Sequence, residues 1–381
     1  MMRTALVTNF CPFYRVKLFR ILRERLNATF LFFSDATERN WESLNPRGGS
    51  EFAVVPLHEG GAGRWRVLWR LARHLWTADY DVLIQGVSGR QAVLVTACIA
   101  RLKRTPLILW TGMWHHPSTL FHRLTFPLVR ALYRRADALV VYGTHVRDYL
   151  VSLGVAPERV FIAYNTADNE LYNRAVGEDE IARMRSELDA GARRVALFVG
   201  RLEREKGVDV LLEAVALMAP ADRPLLVVNG RGPRMDELKA YCAARGLSTV
   251  RFLAYVPNAE LYRYYALADV VVMPSRTTRE FKEPWGLVAN EAMNQGCVVI
   301  ASDAVGAARG GLIEDGENGL VVPEGDAGAL KQALERALRD DASRARLSAA
   351  ARATIAGWTY ERMARGFIDA VAFVATRRGR E

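Results

Sequence analysis

Cysteine is scarce. Four residues, Cys11, Cys98, Cys242 and Cys297, are scattered through a chain of 381 without C-x-x-C spacing. This excludes a thiolate metal site or a disulfide scaffold as the organising device and points to a reducing cytoplasm. No apolar run reaches 18 residues, and "MMRTALVTNF" leads straight into a strand pattern. Neither a membrane span nor a secretory leader is expected. The phosphate loop G-x-x-x-x-G-K-[ST] is missing, and so is G-x-G-x-x-G, which argues against nucleotide hydrolysis and hydride transfer. No Asp-x-Asp pair stands at a strand end, so no metal and no cofactor is expected.

What is present is ordinary in bulk and uneven in detail. The chain is 50% hydrophobic and 25% charged, long enough for two domains with real cores. Its net charge of +10 is confined to one half: residues 1–167 hold 22 Lys+Arg against 11 Asp+Glu, and the remainder 30 against 31. The first half is expected to face something anionic: a phosphorylated substrate, a membrane surface or nucleic acid.

Short branched apolar runs alternate with helical patterns throughout, the mark of parallel βαβ units. One series runs from "TALVT" (4–8) to "RVFIAY" (159–164), and a second from "RVALFVG" (194–200) to "GLVVP" (319–323). Residues 165–192 are polar and lack a strand. The reading is α/β, with two doubly wound domains, 1–167 and 168–358, and a final helix (359–381) packing back on the first. Ligands are expected at strand C-terminal ends and in the cleft between domains.

The densest chemistry lies in "KEPWGLVANEAMNQG" (282–296), where Glu283 and Glu291 stand eight positions apart. Proline pushes the residue before it out of the α region, so Glu283 should be extended. A helix should begin near 284–287, carry Glu291 inside it, and end at a left-handed Gly296. Read alone, the two glutamates could merely complement a helix start and decorate a surface. "FVGRLEREKG" places Arg201 and Lys206 after a strand, a cation pair suited to a diphosphate or else a solvated charged turn. "NGRGP" places Gly230 and Gly232 after another strand, where backbone turns tightly or approaches a ligand.

Taken in order, "GRLEREKG", "NGRGP", "AYVPNAELYRYYALADVVVMPS", "EPWGLVANEAMNQGCVVIASD" and "ENGLVVPEGD" closely resemble the C-terminal domain of retaining GT-B glycosyltransferases of glycosyltransferase family 4, over about residues 194–328. The resemblance implies two tandem Rossmann-like domains and a nucleotide-sugar donor. Arg201 and Lys206 would clamp its diphosphate, and Glu291 would accept hydrogen bonds from its ribose. Glu283 would lie beside the transferred sugar, and the amides of Gly286, Leu287 and Val288 would meet phosphate. The base would lie near Gly230 and against Tyr255 and Val256. His116, or else His115, would stand beside the sugar. The resemblance further implies transfer with retained anomeric configuration.

The first half resembles the family only in pattern. Where many members carry a double-glycine loop after the first strand, this chain has "TNFCPFYRVKLFRIL", so Phe13, Tyr14, Arg15 and Lys17 become candidates for acceptor recognition or for helix-start packing. "RWRVLWRLARHLW" (64–76) puts Trp65, Leu68, Trp69, Ala72, Leu75 and Trp76 on one helical face beside arginines, and "TLFHRLTFPLVRALYRR" (119–135) is similar but interrupted by Pro127. Either could pack on a sheet or touch a membrane peripherally. A lipid-linked or envelope saccharide is the expected acceptor, at the inner face of the plasma membrane. The rivals are an epimerase or phosphorylase on the same fold, and a non-catalytic basic binding protein. Nucleic acid is not an expected partner, since no motif for it occurs.

Overall fold

The computed structural model describes residues 2–34, 53–57, 63–87, 89–253 and 255–378. They sort by contact into two units: residues up to 113 with 120–165 and those from 360 on, and 114–119 with 166–359. The six-residue loop 114–119, placed by the sequence in the first half, thus belongs with the second unit.

The first unit runs β1 (Thr4–Thr8), α1 (Val16–Leu26), β2 (Ala28–Phe32), β3 (Ala53–Pro56), α2 (Arg64–Thr77) and β4 (Val82–Gly86). It continues with α3 (Arg90–Lys103), β5 (Leu107–Thr111), α4 (Leu120–Arg135), β6 (Ala138–Val141), α5 (Thr144–Ser152) and β7 (Val160–Ile162). The seven strands are all parallel, in the order β3-β2-β1-β4-β5-β6-β7. Every residue of β1, β4 and β5 is buried, because a central parallel strand is covered on both faces.

Right-handed crossovers decide which face each helix covers. The connection through α1 steps to one side of β1, whereas those through α2, α3, α4 and α5 step to the other. These four helices therefore share one face and α1 takes the opposite one. Beside α1, on β6 and β7, packs the last helix of the chain (Tyr360–Arg378). There Phe367 meets Trp110 edge-on with ring centroids 5.1 Å apart.

Two helices differ from their sequence reading. The single apolar face expected for 64–76 is split: Val67, Leu68, Leu71 and Leu75 pack inward, while Trp65, Trp69 and Trp76 stand in solvent. The core needs only an arc of about 100°, and the smaller aliphatic residues fill it. In α4 the helix runs through Pro127 instead of breaking there. A proline removes one backbone hydrogen bond, and in a helix that buries little besides Tyr133 little core packing depends on that turn.

The second unit opens with α6 (Asn169–Tyr172), α7 (Glu178–Glu187), β8 (Val195–Val199), α8 (Val208–Ala216), β9 (Leu225–Asn229), α9 (Met235–Ala244) and β10 (Val250–Leu253). It goes on with α10 (Leu261–Leu267), β11 (Val270–Met273), α11 (Val288–Asn294), β12 (Val298–Ser302) and α12 (Gly306–Arg309). It closes with β13 (Gly319–Val322), α13 (Ala327–Arg339) and α14 (Asp341–Ala356), and the last helix, α15, returns to the first unit. Six parallel strands lie in the order β10-β9-β8-β11-β12-β13. The order reverses between β8 and β11, and such a reversal makes two loops diverge and leaves a crevice at the strands' carboxyl ends.

Candidate functional site

Lys206 and Glu283 meet at that reversal. Lys206 ends a short 3-10 turn (Arg204–Lys206) after β8, and Gly207 starts α8 from φ +66°. A Cβ at Gly207 would lie 1.9 Å from the Pro274 carbonyl oxygen after β11, so only glycine lets the two loops approach. The Lys206 ammonium donates to Glu283 Oε2, with side chains 18% and 10% exposed. Ser275 Oγ donates to the same oxygen at 3.4 Å. Behind the carboxylate, the Glu283 carbonyl accepts Trp114 Nε1 at 2.9 Å and the Gly306 amide at 3.1 Å, and Glu283 pairs with Val305 as an isolated parallel bridge. Backbone and side chain are both pinned.

Arg201, by contrast, is exposed and among the described residues pairs within its own loop, with Glu203 Oε2 at 2.6 Å and Glu205 Oε1 at 3.2 Å. Surface pairs of this kind are worth about 1 kcal/mol or less, so a multiply charged anion can take their place. The loop's path depends on Gly230, where a Cβ would lie 1.9 Å from the Gly200 carbonyl oxygen, and on Gly232, 2.5 Å from that of Leu202. The glycines of "NGRGP" therefore serve the approach of one loop to another. Tyr255 is exposed, with the Arg231 guanidinium 4.8 Å over its ring, whereas Val256 is buried in the unit's core. Of these two, only Tyr255 offers a face to a ligand.

The helix expected from 284–287 begins later, at Val288, with Leu287 as its cap. Pro284, Trp285 and Gly286 are held out of it. Trp285 is fully buried, donates from Nε1 to Asn290 Oδ1 at 2.8 Å, and accepts the Ala307 amide on its carbonyl at 2.8 Å. Gly286 sits at φ +89°, outside the right-handed region. Glu291 consequently lies in the first turn.

Its carboxyl points inward to the Tyr265 hydroxyl, which donates to Oε2 at 2.6 Å. Burial pushes this carboxyl from its ordinary 4.5 up to about 7, against the opposing pull of the Tyr265 and Tyr172 hydroxyls. Between these two values the folded chain keeps a proton that the unfolded chain has released. Stability from this group therefore falls as pH rises across the window and is level above it. The shift corresponds to about 3 kcal/mol. The melting-temperature advantage of the native chain over Glu291→Gln is expected to shrink steadily from about pH 5 to about pH 8. A pH-independent difference would show a solvated, ionised carboxylate instead.

Loop 114–119 brings the histidine pair to the same unit. Trp114 lies against the site, with the Lys282 ammonium 4.0 Å over its ring. His115 Nε2 is buried and lacks a hydrogen-bond partner among the described residues. Burial, then Lys282 and His116, hold the imidazole below its usual range, with Glu324 opposing, so it is neutral at pH 7. His116, half-buried beside it, has no such orphaned nitrogen.

The first-unit candidates fare differently. Arg15, expected at the acceptor, is only 3% exposed. Its guanidinium donates to Asn165 Oδ1 and lies 5.2–5.6 Å from the rings of Tyr14, Trp110 and Tyr142. Desolvated and boxed in by aromatic faces, it is a packing element out of a saccharide's reach. Phe13 and Tyr14 form the turn into α1, in edge contact at 5.4 Å, and together with Lys17 they stay half-buried.

Sequence reasoning did not find Trp114, Ser275, Tyr172 or Tyr265. Ser275 carries one signal, its place just past a strand end. The other three act across 26 to 169 positions of chain, for which no local spacing exists.

Comparison with known proteins adds a family. Residues 180–354 match the family described as glycosyl transferases group 1, and residues 14–166 match the glycosyl transferase 4-like domain. An alpha-D-kanosaminyltransferase of Streptomyces kanamyceticus is 32% identical over 61% of this chain and 60% of its own length. A D-inositol 3-phosphate glycosyltransferase of Catenulispora acidiphila is 36% identical over 70% and 65% respectively. The chain thus spans less than two thirds of the length of these curated relatives. The Anabaena protein Alr3699/HepE, solved in complex with UDP-glucose, is 20% identical and superposes with a TM-score of 0.76 over 98% of this chain and 100% of its own. Sucrose-phosphate synthase from Thermosynechococcus elongatus superposes at 0.76 with 21% identity over the same shares. These likenesses show the shared fold.

Proposed function

The chain belongs to the group 1 glycosyltransferases, built on the GT-B fold, and from that premise we propose that it moves a sugar from a nucleotide diphosphate to a hydroxyl acceptor with retained anomeric configuration. The observation that carries this reading is the meeting of Lys206 and Glu283 at the strand-order reversal, inside the motif order quoted above.

In this reading Lys206 and Arg201 receive the diphosphate. As the leaving phosphate gains charge, fixed cations there lower the barrier. The amides of Gly286, Leu287 and Val288 add donors at the start of α11. Glu283, clamped by Trp114, Ser275 and Gly306, holds the sugar while it acquires oxocarbenium character. The departing phosphate oxygen takes the acceptor's proton on the same face. Glu291 in its ionised form receives the ribose, and Tyr255 lies by the base. The enclosed, orphaned Nε2 of His115 favours it over His116 for the sugar-side role.

The donor in this reading is a UDP-sugar or GDP-mannose, and the UDP-glucose bound by the Anabaena neighbour supports the first. The acceptor is a lipid-linked or envelope saccharide, and the protein works in the cytoplasm, peripheral to the membrane. No metal takes part. Across a thermal-shift panel of nucleotide-sugars, one donor is expected to stabilise the chain by about 2.7 kcal/mol at a hundredfold excess over its Kd. Turnover should survive EDTA, and NMR of the product should give the retained linkage. No shift with any nucleotide-sugar would sink the donor site, and turnover lost to EDTA and restored by manganese would sink the metal-free mechanism.

A further inference from the structure

The helices on one face of the first sheet have an outer surface that the transfer chemistry does not use. At 100° per residue, Trp65, Trp69 and Trp76 of α2 fall within an arc of about 40°, and they are 73%, 62% and 56% exposed. Arg66 and Arg73 border that arc, and the Arg73 guanidinium lies 5.5 Å over the Trp69 ring. On α3, Leu94 and Leu102 are exposed. On α4, Leu120, Phe121, Leu124 and Leu128 are exposed as well. Elsewhere among the described residues, the exposed large hydrophobic side chains are Met2, Leu217 and Tyr255 alone.

The charge on the same helices is one-signed. Segments 64–77, 90–103 and 120–135 contain eleven Lys+Arg and not one Asp or Glu. A surface helix ordinarily mixes both signs, since opposite charges at i, i+4 stabilise it. Here three neighbouring helices avoid carboxylates together.

We propose that the α2–α4 layer is a docking surface for an anionic lipid bilayer, with the indoles and leucines seated among headgroups and the arginines on lipid phosphates. It gives the peripheral placement proposed above a surface. It rests on that placement and not on the donor chemistry, so vesicle binding and donor binding can fail separately. Tryptophan suits the water–hydrocarbon boundary because one ring joins an apolar body to a polar N–H. An arginine-flanked apolar stripe adds area burial to attraction for an anionic leaflet. None of the described helices is long and apolar enough to cross a membrane, so the chain would lie on the bilayer. A second copy of this chain is a poor occupant, because an isologous contact would set cations against cations. A nucleic acid would leave the exposed leucines without apolar partners.

The test is co-sedimentation of the whole chain with phosphatidylglycerol-containing vesicles and with phosphatidylcholine vesicles, alongside tryptophan emission. Binding is expected with the former, blue-shifted and weakened by salt. Trp65→Ser/Trp69→Ser/Trp76→Ser should weaken it by at least about tenfold, and Arg66→Gln/Arg73→Gln/Arg123→Gln by about a hundredfold. Both variants should keep the native donor-induced thermal shift, since their side chains stand in solvent outside the donor site. The proposal is overturned if anionic vesicles do not bind. It is also overturned if both variants bind them as the native chain does, if the native chain forms a dimer that the tryptophan variant loses, or if salt-sensitive binding goes to nucleic acid and not to vesicles.

Discussion

Lys206→Ala is expected to lower kcat/KM for the nucleotide-sugar by about 100- to 1,000-fold, the usual effect of deleting one preorganised group aimed at developing negative charge. The same change should also cost stability. Glu283 is 8% exposed, and its carboxylate is neutralised by the Lys206 ammonium. Removing one partner of an enclosed ion pair strands the other, at about 3 kcal/mol or more. The two effects separate in the double variant Lys206→Ala/Glu283→Gln, where no charge is stranded. Melting should recover most of the lost stability, while turnover stays low. If the single variant turned over donor at the native rate, Lys206 would be no more than the structural counter-ion of Glu283.

Gly230→Ala should unfold the neighbourhood of Arg201 without touching a charge. The added methyl would stand 1.9 Å from the Gly200 carbonyl oxygen and 3.3 Å from Leu202 Cδ2. Backbone has no rotamer with which to yield, and the two loops are tied by Gly200 N donating to Asn229 O at 3.0 Å and Leu202 N to Arg231 O at 2.8 Å. Overpacking of this severity costs about 3 kcal/mol or more, a fall in melting temperature on the order of 10 °C for a unit of this size. Gly177→Ala is the control, since a Cβ there meets nothing within 4 Å. Equal melting of the two variants would show that the loops can separate freely.

The strands and the site's backbone were legible in the sequence for a shared reason. Buried parallel strands must be continuous branched apolar runs, so "TALVT", "VALFV" and "VVVM" declare themselves. Glu283 was legible because proline dictates the conformation of the residue before it. Contacts that depend on tertiary approach were not. Trp114 reaches the Glu283 carbonyl across 169 positions, and Tyr265 turns the Glu291 carboxyl inward from another helix. Arg15 shows the limit of reading residue type, since an arginine beside aromatics describes a binding surface and a boxed core cation equally well. In α2, spacing located the apolar arc but could not say that leucines would take the core and leave the tryptophans outside.

The placement of α15 governs the order in which the molecule can be assembled. Met363, Phe367 and Val371 complete the core that β1, α1, β5 and β6 begin. Emerging from the ribosome, the first sheet must therefore wait, with its α1 face incompletely covered, while the whole second unit is synthesised. The N-terminal unit is the last to be sealed. Nascent chains arrested before residue 360 are expected to hold a folded second unit beside a protease-sensitive first one, the reverse of the usual N-to-C order of domain folding.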